Sequence, residues 1–196
     1  MSHRILPLSP TWSGDVLEAL ILEAAGLPAP EQPEPERLAP DLPRAELAAA
    51  QDRFGRSLHA ARIGTRRGEY VAVWLESGVE AEVDAAWAAG PERAFWLHAV
   101  ARSLCLATVR DVAPEVAAYG CAAVPGPDPE LAAALRLAGL ACGDMGEGHA
   151  VPLLGRRYAV VTWAFAGGCG KCALASRCPR SGFAPERASA EFDPGQ

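Results

Sequence analysis

The chemistry available to this chain is concentrated in Gly167-Gly168-Cys169-Gly170-Lys171-Cys172-Ala173-Leu174-Ala175-Ser176-Arg177-Cys178-Pro179. Two cysteines separated by two residues can bring both sulfurs to one metal or cluster, because the chain reverses between them and turns backbone N–H groups toward the thiolates. The glycines permit that tight path. Cys178, five residues beyond Cys172, can return to the same centre after about one helical turn. Lys171, Arg177 and Arg180 stand close by in the sequence, where positive charge favours thiolate over thiol and offsets the negative charge of a thiolate-ligated cluster.

Three such ligands call for a fourth, from Cys142, Cys121, Cys105 or a histidine. Cys142 is the first choice, since its Gly-rich loop, Ala141 to His149, leads through a short hairpin straight back to Cys169. Cys121 follows Gly120 at a helix end and stays open. His149, a lone histidine in the same loop, could ligate or simply face solvent. Cys105, between Leu104 and Leu106, reads as a small buried hydrophobe. The soft donors and their spacing favour an iron–sulfur cluster. Structural zinc is the alternative, although zinc sites more often pair two short cysteine knuckles. A thioredoxin-like use of Cys169 and Cys172 would want the pair to open a helix after a strand, which a third cysteine and the Gly pair fit less well.

Cys169-x2-Cys172-x5-Cys178-Pro179 resembles the C-terminal cysteine tails of [4Fe–4S] proteins. These include the RecB-like CRISPR-associated nucleases, DNA glycosylases of the endonuclease III type, the molybdenum-donating nitrogen-fixation protein and the auxiliary-cluster domains of radical enzymes. The resemblance implies a [4Fe–4S] cluster completed by a fourth cysteine. The upstream spacing departs from each: the glycosylase pattern would want Cys where Thr162 stands, and the molybdenum-donor pattern where Ala164 stands. The nucleases need a catalytic lysine beside acidic residues, yet the sole lysine here is Lys171, inside the cysteine motif. A short chain ending in such a motif is most like the molybdenum donor in layout.

Composition narrows the classes further. Of the apolar residues that make up 50% of the 196 positions, 40 are Ala, which leaves larger side chains for one ordinary domain rather than two. No run of about 18 apolar residues offers a membrane span, and the N-terminus lacks a signal-peptide core, so a cytoplasmic location is expected. A reducing compartment argues against disulfides and leaves the 6 Cys as ligands, redox thiols or buried hydrophobes. Net charge is −6, but residues 155–196 carry an excess of basic side chains while the rest is acidic. A nucleic-acid contact is therefore not expected outside that tail, and a protein partner fits better. No Walker loop, dinucleotide fingerprint, nucleophile elbow or His-Glu-x-x-His occurs, and no acidic pair stands out as an acid–base couple.

The elements that must carry the cysteines read as α+β, mainly α: a helical body with a small β-hairpin or sheet and a C-terminal cysteine-ligated cluster loop. The whole of 1–196 reads as a single domain. A short helix over 14–25 precedes a Pro-rich strap at 27–44. A helical body spans 45–140, beginning with one face formed by Leu47, Phe54, Leu58 and Ala61. Tyr70 to Leu75 is a buried strand, because both of its alternating faces are apolar. Helical patterns resume from Val79 to Gly90 and from Pro91 to about Val109, then from Asp111 to Gly120, and last from Glu130 to Leu140 after a cap signal at Asp128. Residues 141–180 form a hairpin, Ala150–Leu154 against Tyr158–Phe165, followed by the cysteine segment. Residues 181–196 form a loose tail. Trp74, Trp87, Trp96 and Trp163 are expected as core anchors, as is Phe95, and Arg66-Arg67 as a solvated turn.

Two functions follow as expectations. The first is a non-catalytic iron–sulfur protein in electron transfer or in metallocofactor assembly or delivery. The second is an enzyme or nucleic-acid-processing accessory in which an Fe–S or zinc site only folds the C-terminus.

Overall fold

Tyr70, Val71, Ala72, Val73, Trp74 and Leu75 are all buried, so this strand must bury both faces and pair both edges. In the computed structural model, which describes residues 4–9, 44–114, 116, 122–140, 154–164 and 168–178, it does so at the centre of a four-stranded sheet. The strands are β1 (Arg4–Pro7), β2 (Leu58–Thr65), β3 (Gly68–Leu75) and β4 (Ala159–Trp163), in the order β1-β2-β3-β4 with every neighbour antiparallel. Four helices accompany it among the described residues: α1 (Arg44–Arg56), α2 (Ser77–Ala89), α3 (Pro91–Val112) and α4 (Pro129–Leu137). The class is α+β.

Strand alternation sends the two faces of β3 into different cores. Val71, Val73 and Leu75 meet α1 through Leu47, Ala50 and Phe54, α2 through Val79, Val83 and Ala86, and α3 through Leu97, Val100, Leu104 and Cys105. Tyr70, Ala72 and Trp74 face the other way. There they join Ala61 and Ile63 of β2, Val161 and Trp163 of β4, and Leu131, Ala134 and Leu135 of α4. Helices therefore cover both faces of an antiparallel sheet.

The helix at 77–89, the long helix from Pro91 and the capped helix after Asp128 fall close to where the sequence placed them. Gly90 ends α2, Pro91 opens α3, and the Asp128 side chain accepts the Glu130 N–H at 3.0 Å. Two expectations need correction. The helical face read through Leu58 and Ala61 stops at Arg56, and those two residues lie on β2, which pairs with β3 from Leu58↔Leu75 to Thr65↔Gly68. The strand expected after Arg157 is present as β4 and joins the sheet by pairing with β3, from Trp74↔Ala159 to Tyr70↔Trp163. Trp87 and Phe95 are not core anchors: they are 46% and 39% exposed, while Trp74 and Trp163 are buried. The helix at 14–25, the strap up to residue 43, the tail at 181–196, the run 150–153 and half of the helix expected from Asp111 to Gly120 lie outside the described residues.

Polar contacts fix the entry to β4. The Arg157 guanidinium donates to both carboxylate oxygens of Asp84 on α2, at 2.7 and 3.2 Å, and its backbone N–H donates to Glu80 at 2.6 Å. One residue on, Tyr158 is buried, and its hydroxyl lies 3.0 Å from Nδ1 of His98 on α3. Burial, with help from the Arg102 and Arg157 charges, holds the His98 pKa below its ordinary value. The folded protein thus keeps His98 neutral where the unfolded chain already takes up a proton. This contribution to stability is complete above the unfolded value of about 6.5 and is lost as pH falls through the lower folded value. Urea midpoints measured across that window should fall for the wild type and fall less for His98→Gln; parallel curves would remove His98 from the acid limb.

Candidate metal centre

The chain reaches the cysteines directly from β4. Within β4, Trp163 lies under the β2–β3 turn, where Gly68 has φ of +145° and a Cβ at that position would stand 3.0 Å from the indole ring. Glycine is required there both for the dihedral and for the close approach. The Trp163 ring packs against Tyr70 at a tilt of 33° with centroids 4.4 Å apart, and the Tyr70 hydroxyl donates to the buried Asp128 carboxylate at 3.0 Å. Burial and that carboxylate push the Tyr70 pKa up to about 12, so the hydroxyl stays a donor. The turn residues are solvated but engaged: Arg66 pairs with Glu130, and Arg67 donates to the Pro127 carbonyl at 2.7 Å.

The outer edge of β4 is covered by the strap before α4. Ala123 accepts from the Trp163 N–H at 3.2 Å and from the Thr162 hydroxyl at 3.0 Å. The next carbonyl, Val124, accepts from the Ala173 N–H at 2.9 Å. The cysteine segment is thereby tied by its own backbone to the strap that closes the sheet.

Within that segment, Gly168–Lys171 forms one tight 3₁₀ turn and Ala175–Arg177 another, with Cys172 between them and Cys178 just after. The Ala175 N–H donates to Cys172 O at 3.0 Å, and the Cys178 N–H to Ala175 O at 3.4 Å. Cys172 packs against the core that contains Trp163 and Tyr70. Both Cys172 and Cys178 are half-buried free thiols. Leu174, the single larger apolar side chain of the segment, is 40% exposed, so the segment is anchored by Cys172 and the Val124 bond instead.

Cys105 lies elsewhere. It is 2% exposed on α3, in the core on the opposite face of the sheet, with Sγ 3.6 Å from the Tyr158 carbonyl. Burial pushes its thiol up to about 12. A zinc–thiolate bond is about 2.3 Å long, and the sheet stands between Cys105 and Cys172, so one metal cannot hold both. The buried-hydrophobe reading of Cys105 stands.

The side chain of Cys169 and the whole of Cys121, Cys142 and His149 lie outside the described residues. Among the described residues no three His, Cys, Asp or Glu side chains converge as a metal site. The donors that are described do suit a thiophilic centre: two free thiols, one before and one after the second tight turn, with open space where a Cβ on Gly170 would be. The residues sequence reasoning missed are Tyr70, Asp128 and the Ala123–Val124 strap. Only the cap signal at Asp128 pointed toward them. Comparison with known protein families, curated proteins and solved structures finds no match for this chain.

Two measurements check this arrangement. Maleimide labelling of the native protein without bound metal, mapped by mass, should modify Cys172 and Cys178 readily and Cys105 only after unfolding; early modification of Cys105 would contradict its placement. Gly68→Ala should cost roughly 1–3 kcal/mol in a denaturant titration, through the positive φ and the Trp163 contact. Gly64→Ala, whose Cβ would meet only ordinary contact at 3.9 Å, should be far milder.

Proposed function

We propose that this chain is an iron–sulfur protein that holds a [4Fe–4S] cluster on Cys169, Cys172, Cys178 and a fourth cysteine, and that it serves electron transfer or the assembly or delivery of a metallocofactor to a protein partner. The observation that carries this reading is the placement of Cys172 and Cys178: free, half-buried thiols before and after the second tight turn, docked through Ala173 on the strap that edges the sheet. Thiols at such a rim suit exchange with a partner, whereas a thiol as buried as Cys105 does not. Among the described residues no helix is long and apolar enough to cross a membrane, which agrees with a partner that is not a bilayer.

Cys142 is the fourth ligand favoured by its Gly-rich loop. Cys121 is supported as well, because it stands three positions before Val124, whose carbonyl takes the Ala173 N–H. When bound, the cluster would supply one-electron chemistry. The chain's part is to present thiolates, restrict water with the Cys172 side of the core, and offset charge with Lys171, Arg177 and Arg180. A structural site, with iron–sulfur or zinc serving an enzyme or a nucleic-acid-processing accessory, is the competing use of the same cysteines.

Protein purified without oxygen should be brown and contain iron with acid-labile sulfide. Colourless protein that binds one zinc tightly would move the assignment to a structural site. Cys169→Ser, Cys172→Ser and Cys178→Ser should each abolish the chromophore, since a hydroxyl is a hard and poor substitute for thiolate. Cys105→Ser should keep it, and comparison of Cys142→Ser with Cys121→Ser should show which one completes the site.

A further inference from the structure

The sole lysine of the chain, Lys171, stands between the two cysteines of the Cys-x2-Cys turn, although arginine fills every other basic position. Its ammonium sits 5.4 Å from the centroid of the Trp163 ring. That ring is itself held from behind. Tyr70 packs against it at a tilt, Gly68 leaves it room, and the Tyr70 hydroxyl is bonded to Asp128, the cap of α4. A cation over an indole face is attracted by the ring quadrupole, and the attraction grows as the pair loses water. Trp163 is 8% exposed, so one side of the contact is already dry.

We infer that Lys171 is a positioning residue for the metal centre: its ammonium, seated on Trp163, holds the Cys-x2-Cys turn against the sheet in the geometry that retains the metal. This rests on the metal-site reading proposed above. The Ala173–Val124 hydrogen bond pins the segment on the far side of Cys172, and the Lys171–Trp163 contact pins it on the near side. Between the two, Cys172 is left little freedom. Either contact alone would leave a hinge.

The test uses the full chain purified anaerobically with its own metal, and follows release of that metal to excess chelator. Lys171→Gln should release it roughly fivefold faster than wild type, in line with the usual strength of such a contact. Lys171→Arg should restore slow release, because a guanidinium also seats on an indole. Trp163→Leu should speed release, and adding Lys171→Gln to it should change little further, since both remove one contact. If Lys171→Gln releases metal at the wild-type rate, if Lys171→Arg does not rescue, or if the two variants are additive, the inference falls while the metal site stands. A wild-type protein without metal would overturn the site itself. Selective labelling with carbon-13 lysine provides a second check independent of any Trp163 variant. The single Cε signal should be shifted upfield by the ring current in native protein and return to the unfolded position in denaturant, and an unshifted native signal would rule the seat out.

Discussion

Strand β3 has no surface left for water. Its backbone groups are paired by β2 on one edge and β4 on the other, and all six side chains from Tyr70 to Leu75 are buried. An unpaired peptide group buried here would cost as much as a lost hydrogen bond, so both neighbours are obligatory. Because both faces are apolar, two covering layers are obligatory as well. The helices α1, α2 and α3 satisfy one face, and α4 with the strap before it satisfies the other. Each Leu, Val or Phe drawn from water in these layers contributes roughly 1.5–3 kcal/mol, which is what repays the ordering of so many elements.

Much of this was legible from residue types. The run Tyr70-Val71-Ala72-Val73-Trp74-Leu75 can be little other than a central strand, and the apolar stripe Phe95, Trp96, Ala99, Val100, Ser103 and Leu104 marks the helix that α3 forms, four of whose six members, Ala99, Val100, Ser103 and Leu104, are buried. Strand β2 was not legible. His59-Ala60-Ala61-Arg62 has no β-branched residue, and alanines that suit a close-packed sheet also suit a helix, so the 3.6-residue pattern from Leu47 ran on through Leu58 and Ala61. Its state is decided by pairing with β3, including His59 stacked on Trp74 across the ladder at 5.4 Å, and pairing is a tertiary fact. Strand β1 was missed for the same reason: Arg4 to Pro7 is a short edge strand whose partner lies more than fifty residues along the chain.

Trp87 and Phe95 show a different limit. Both fit apolar stripes, yet a stripe gives only the direction a side chain takes, not how far the covering layer extends. They stand near the junction of α2 and α3, at positions 39% to 46% exposed, whereas Val83, a turn before Trp87, and Leu97, two residues after Phe95, are closed in. At the cysteines the sequence supplied the donors but not their support. Tyr70 and Asp128 are distant in the chain, and nothing in their local patterns announces that a hydroxyl and a carboxylate will meet beside the β2–β3 turn under which Trp163 lies.

The two faces of the sheet divide the protein's labour. Cys105 and the three-helix layer occupy one face, where the thiol is held in its neutral form by burial and serves only as volume. The other face carries Trp163, Cys172 and α4, and is held partly by polar and aromatic contacts: Asp128 to Tyr70, Tyr70 to Trp163, and Trp163 to Lys171. Contacts of this kind are directional, so they fix geometry more tightly than an apolar surface of equal area. A thiolate centre of the kind proposed for the cysteine segment would gain from resting on the directional face. The apolar layer behind β3 draws on none of the residues of the cysteine segment.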